Sequence, residues 1–259
     1  MILRSLTEHV KDQNWFAVGL DFSIVVIGVL LAMQISNWNA AKGDRERGAD
    51  YSAQLTAVLL AEMATVDAIT DYYATTFSAG NTAYEGLSAR SDIPHETILI
   101  NAYRASQYIF YERRRSTYDE IINSGALNLI ADRELRETAT LVFATELFDT
   151  VMAEGQSRYR ELFRMIVEPD LQFQLGEQCG DRIVASAYVP GGANSLDYLC
   201  ELNADPESIT AAVMALRADE DLIRALRLRN VQLGGRLSDL DGTKDALGLT
   251  SLFDGEAAR

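Results

Sequence analysis

The densest chemistry in this chain is cationic. Arg113, Arg114 and Arg115 stand together just before Ser116-Thr117. Guanidinium groups beside a helix start can hold an anion, helped by backbone donors. The plainer use of the same arginines, favoured on sequence alone, is to neutralise neighbouring carboxylates inside the fold. Two cysteines, Cys179 and Cys200, share one loop-rich stretch. They suit a disulfide in an oxidising compartment, with two buried thiols as the other reading. The two histidines, His9 and His95, lie far apart, and neither HExxH nor paired CxxC occurs, so no metal site is expected. Gly-rich phosphate loops and GxSxG are absent as well. Acids are plentiful, but nothing marks a pair for general acid–base work. No catalytic residue and no cofactor is assigned, and a non-enzymatic role is favoured over an enzyme.

Charge narrows the partners. The first 47 residues hold five basic and five acidic side chains, so the net charge of −15 falls entirely on residues 48–259. Such a surface repels phosphate backbones, which argues against nucleic acid. Only Lys11, Lys42 and Lys244 are lysines; the excess of arginine reads as genome composition.

The elements that position these residues begin with an apolar run. Phe16–Asn37 is free of charge except at Asp21. Its 22 residues would span about 33 Å as a helix, enough for a hydrocarbon core of roughly 30 Å. Trp15 and Trp38 bracket it as interface anchors. The leader is long and mixed in charge, which favours an uncleaved signal-anchor over a signal peptide. Asp21, Gly28, Ala32 and Ser36 fall on one helix face. Small residues in such a row permit close pairing with another membrane helix or a second copy, with the carboxyl group as a hydrogen-bonding partner.

Beyond the anchor, Tyr51, Leu55, Val58, Val66, Ile69 and Tyr73 hold a helical stripe with Glu62 as an exception, predicting a helix to about Arg90, continuous with the span. A helix is expected from Pro94 to about Tyr111. Thr117 and Glu120 fit a capping box for a short helix ending at Gly125. From Asp132 a long pattern runs to Pro169. Residues 170–204 read as an irregular insertion with a short strand at Ile183–Val189. Asp205-Pro206 starts a helix to about Arg217. A last helix from Asp219 carries Leu222, Leu226, Leu233, Leu237 and Leu240. The tyrosines 72, 73, 103, 108, 111 and 118 read as core filling. The expected fold is all-α: a tail at 1–15, a transmembrane helix at 16–38, an elongated antiparallel helical bundle at 39–241, and a frayed tail at 242–259.

Val25–Asn39, VVIGVLLAMQISNWN, resembles the signature of a bacterial membrane-protein family of unassigned function, whose N-terminal span runs close to IGxLxALQxxNWN. Thr117–Ile130, TYDEIINSGALNLI, is similar to a second segment of that family with a TY…SG…LI pattern. The family's acid before the span corresponds in place to Asp21, although Leu20 intervenes after Gly19. The resemblance implies one N-terminal membrane helix, a helical body and no transferable catalytic residue. Together these readings predict a single-pass protein of the bacterial inner membrane, its C-terminal domain periplasmic, acting as an interaction or sensing module. The alternative is an envelope enzyme or small-ligand-binding domain with its site near Arg113–Arg115.

Overall fold

The computed structural model describes residues 15–88, 92–109, 113–145, 157–189 and 191–246. Its first element, α1, is one helix over Trp15–Ser88, 74 residues long. At 1.5 Å per residue it extends about 110 Å. Its two halves differ in environment. Every described residue from Gly19 to Lys42 is solvent-exposed, including Phe22, Ile24, Leu31 and Ile35, and burial begins at Gly48. This stretch is long and apolar enough to cross a membrane. The second half is the spine against which most of the other described elements pack.

The remaining elements are α2 (His95–Ala105), α3 (Ser116–Asn123), a 3-10 turn (Ala126–Leu129), α4 (Arg133–Ala144), α5 (Arg158–Ile166), α6 (Pro169–Cys179), strands β1 (Arg182–Val184) and β2 (Ala193–Ser195), α7 (Pro206–Ala218) and α8 (Glu220–Ala246). The fold is all-α but for one antiparallel hairpin, in which Ile183 pairs with Asn194. Local signals start and stop several helices. Asp132, Ser157 and Asp205 accept from the backbone N–H three residues on, at Leu135, Arg160 and Ser208, which satisfies donors that the first turn leaves free. Bonds to Ser208 hold the Asp205 carboxyl below its usual range. Gly125 turns the chain after α3 with φ +69°, a conformation that a Cβ disfavours.

Three apolar layers succeed one another along the spine. Nearest the exposed segment, Leu55, Leu59 and Met63 meet Ile121, Ile130 and Val142. Next, Ile69, Tyr72 and Tyr73 meet Ile109, Leu196 and Leu233. At the far end, Ala83 and Leu87 join α2, α5, α6, α7 and the start of α8 in the largest core. Both α2 and α8 run antiparallel to α1. Asn230 bonds Asn81, and fourteen residues on, Lys244 Nζ lies 2.7 Å from Asp67. Glycines in α1 mark close approaches. A Cβ at Gly86 would sit 2.5 Å from Ile98 Cγ1, and one at Gly48 would strike the carbonyl of Leu129.

Several expectations need correction. The pattern from Asp132 to Pro169 is not one helix. α4 stops at Ala144 with Thr145 extended, and α5 has its own N-cap at Ser157; residues 146–156 lie outside the described ones. Pro169 opens a helix where a stop was expected, because at N1 its missing N–H removes a donor the helix does not need. The irregular insertion at 170–204 therefore begins as helix α6, and its strand is only Arg182–Val184. α2 ends at Ala105, earlier than Tyr111. The expected fraying after Asp241 is not seen through Ala246, and residues 247–259 lie outside the described ones.

Candidate functional site

The turn entering α3 is fixed by its first arginine. Arg113 is buried, its side chain only 5% exposed. Its Nε donates to Glu62 Oε1 at 2.9 Å, its Nη2 to the Val142 carbonyl at 2.7 Å and its Nη1 to the Thr145 carbonyl at 3.1 Å. The guanidinium thus neutralises a buried carboxylate of the spine and closes the C-terminus of α4 at once, while facing the Phe143 ring. As an anion-binding residue Arg113 is therefore corrected: its fork is spent inside the fold. Arg114 and Arg115 are exposed. Arg115 is the N-cap residue of α3 and contacts Asp119 at 3.0 Å, both side chains roughly half-exposed. The capping box of Thr117 and Glu120 does not form, because the cap falls two residues earlier, at Arg115, and makes no side-chain bond.

This turn borders a cleft of about 890 Å³. Val58, Thr65 and Ile69 of the spine form one wall. Arg114, Arg115 and Thr117 form the second, and Gly192 and Asn194 of the hairpin the third. The cleft thus joins a cationic edge to an apolar floor. Its hairpin wall is tightly built. Gly192 has φ +83°, and a Cβ there would sit 2.6 Å from both Ile183 Cγ2 and the Val184 carbonyl oxygen, so only glycine fits. Cys179 and Cys200 are disulfide-bonded, with Cα atoms 5.4 Å apart, which ties the end of α6 to the chain leaving β2. Between them, Tyr198 donates to the Gly180 carbonyl, and its ring lies under the guanidinium groups of Arg104 and Arg182.

No family model, curated protein or solved structure matches this chain. Function must be read from the geometry.

A second polar cluster lies behind the hairpin. Tyr72 donates to Asp181 Oδ1 at 2.8 Å. Burial pushes the Asp181 carboxyl above its ordinary value, against the opposing pull of the Tyr72 bond and of Arg160. Burial and then Asp181 raise Tyr72, and the same two causes raise Tyr103. Burial lowers Arg160 first, with Arg164 adding to it. Arg160 donates to the Ser106 carbonyl and stacks on Tyr108. Tyr72 thus bonds α1 to the start of the hairpin, and Arg160 bonds α5 to the end of α2.

The remaining candidates are not brought together. Gly28, Ala32 and Ser36 are exposed on α1, and nothing lies within 4 Å of a Cβ placed at Gly28. Trp38 is exposed. The side chains of Trp15 and Asp21 lie outside the described ones, as do His9 and Tyr111. His95 contacts Thr210 and Arg217. Among the described residues no three His, Cys, Asp or Glu side chains are placed to hold a metal. Tyr72, Tyr73 and Tyr118 are buried as core, whereas Tyr103 and Tyr108 are half-buried. Sequence reasoning missed Asp181, Arg229 and the role of Glu62. Glu62 left a trace, since it is the one acid inside the apolar stripe of the spine.

Proposed function

We propose that the chain is a single-pass protein of the bacterial inner membrane. Its helical bundle is held outside the cytoplasm and acts as an interaction or sensing module, not as an enzyme. The observation that carries this reading is the exposure of Gly19–Lys42 on a helix whose other half is core. A soluble helix hides one face and wets the other. This segment is apolar on all sides between Phe22 and Ile35, and nothing among the described residues covers it. In water it would be an aggregation site, whereas in lipid it is solvated. Trp38 then sits at the outer headgroup level, and the first packed residue, Gly48, comes ten residues on, about 15 Å further out. The Cys179–Cys200 disulfide supports an oxidising compartment for the body.

The resemblance of Val25–Asn39 to a family of membrane proteins supports the same placement and adds no activity. Pairing through Asp21, Gly28, Ala32 and Ser36, with a second copy or another membrane helix, belongs to this proposal. Gly28, Ala32 and Ser36 are exposed, and nothing lies within 4 Å of a Cβ at Gly28, as close packing of two helices requires. Two measurements test the anchor. Full-length protein should stay with membranes in alkaline carbonate, and a C-terminal reporter should be active only outside the cytoplasm. Release by carbonate would remove the reading altogether.

A further inference from the structure

The cleft beside α3 combines features that a surface charge patch lacks. Its volume of about 890 Å³ is that of a small-molecule site. Its floor is apolar, from Val58, Ile69 and Ile109, and the polar groups at its edge include Arg114, Arg115 and Asn194. The two arginines are held there by their neighbour, because buried Arg113 pins the turn to Glu62 and to the end of α4. Fixing the backbone that carries them reduces the freedom lost on binding. Asp119 occupies Arg115 in an exposed contact. A surface pair of this kind is weak and exchangeable, so it can yield to a better anion.

We propose that this cleft binds a soluble organic anion, with a phosphate or carboxylate head between Arg114 and Arg115 and an apolar body against Val58, Ile69 and Ile109. The ligand is soluble and not lipid-borne because of height. Val58 and Ile69 lie 20 and 31 residues beyond Trp38 on a continuous helix, about 30 and 46 Å above the interface. No headgroup of the anchoring bilayer reaches that far. This exclusion of lipid rests on the membrane placement proposed above; the anion site itself does not.

The test uses the full chain in lipid nanodiscs, titrated calorimetrically with phenyl phosphate and with inorganic phosphate. Phenyl phosphate should bind saturably, with inorganic phosphate weaker by about tenfold or more, because only the former buries an apolar body. Replacing both exposed arginines (Arg114→Ala with Arg115→Ala) should weaken phenyl phosphate by about ten- to a hundredfold. Asp119→Asn should tighten it by removing a carboxylate that competes for Arg115, a result that general surface charge at a distance would not single out. Affinity should be the same in zwitterionic and phosphatidylglycerol nanodiscs. Absence of saturable binding at about 10 mM, or an unchanged affinity in the double variant, would overturn the proposal. Competition in phosphatidylglycerol discs alone would overturn the soluble source. Carbonate extraction, not titration, decides the anchor, so the two failures are distinct.

Discussion

Arg113 and Glu62 offer the sharpest test of how the body holds together. The pair is almost wholly withdrawn from water, with side-chain exposures of 5% and 1%. Arg113→Ala takes the buried guanidinium away from the Glu62 carboxylate in the layer below α4 and removes its donors to the Val142 and Thr145 carbonyls. Breaking a buried pair from one side costs about 3–5 kcal/mol. The Val142 carbonyl keeps the Thr145 N–H, whereas the Thr145 carbonyl loses its Arg113 donor, which adds about 1 kcal/mol. A loss of about 5 kcal/mol is therefore expected, which in a body of this size lowers Tm by about 10–20 °C. Removing both charges with apolar replacements of similar volume, Arg113→Met with Glu62→Leu, should cost clearly less than Arg113→Ala alone. The buried carboxylate is then gone together with its counter-charge. Thermal denaturation followed by circular dichroism, on full-length protein in detergent, measures both. If Arg113→Ala lowers stability by less than about 1 kcal/mol, the magnitude typical of a surface pair, the turn is not pinned as described.

Asp181 sets a pH dependence. Its folded pKa lies above the ordinary 3.8, so the folded state binds the proton more tightly and ionisation opposes folding. Its contribution is fully favourable below the unfolded pKa and is lost as pH rises through the folded value. Asp181→Asn keeps an acceptor for Tyr72, and should raise Tm at pH 7 with the difference vanishing below about pH 4; a gain that persists in acid would contradict this. Gly86→Ala puts a Cβ 2.5 Å from the Ile98 side chain. It should destabilise by about 1–2 kcal/mol, since overpacking outweighs the propensity gain, whereas Gly43→Ala, with nothing within 4 Å, should stabilise by up to about 1 kcal/mol; equal effects by chemical denaturation would refute the close approach. Reducing the disulfide, whose cysteines are 21 residues apart, should cost about 3 kcal/mol. It should also speed hydrogen exchange in the hairpin first, and uniform acceleration would show that the bond does not hold that wall.

What could be read from the chain was local. Asp132, Asp205 with Pro206, and Gly125 announce themselves because capping and left-handed turns are decided within four residues. Pro169 misled because proline at N1 and proline after a helix look alike until the other side is seen. The break after Ala144 was hidden because apolar residues on either side keep a passable helical spacing. The arginines were the largest omission. Arg229 is buried and donates to the carbonyls of Ala105 and Gln107, just beyond or at the end of α2. Arg217 does the same for Gly86 near the end of α1, and Arg104 for Cys179 at the end of α6. Their excess over lysine reads as genome composition in the sequence, yet a forked, planar donor can serve two carbonyls at once where an ammonium cannot do so with the same geometry. These partners stand 75 to 131 residues away, so no window along the chain reveals them. At the cleft the arginine triplet was visible, but Val58 and Ile69 of its floor and the hairpin wall come from two distant segments.

The unbroken spine makes the molecule a lever. Between Trp38 and Ser88 there is neither proline nor gap, so the rod is about 75 Å long. With its exposed end held in a bilayer, as proposed, a tilt of about 10° in response to bilayer thickness would sweep the distal end sideways by about 13 Å. Orientation at one end is thereby converted into displacement at the other, with no moving joint between them.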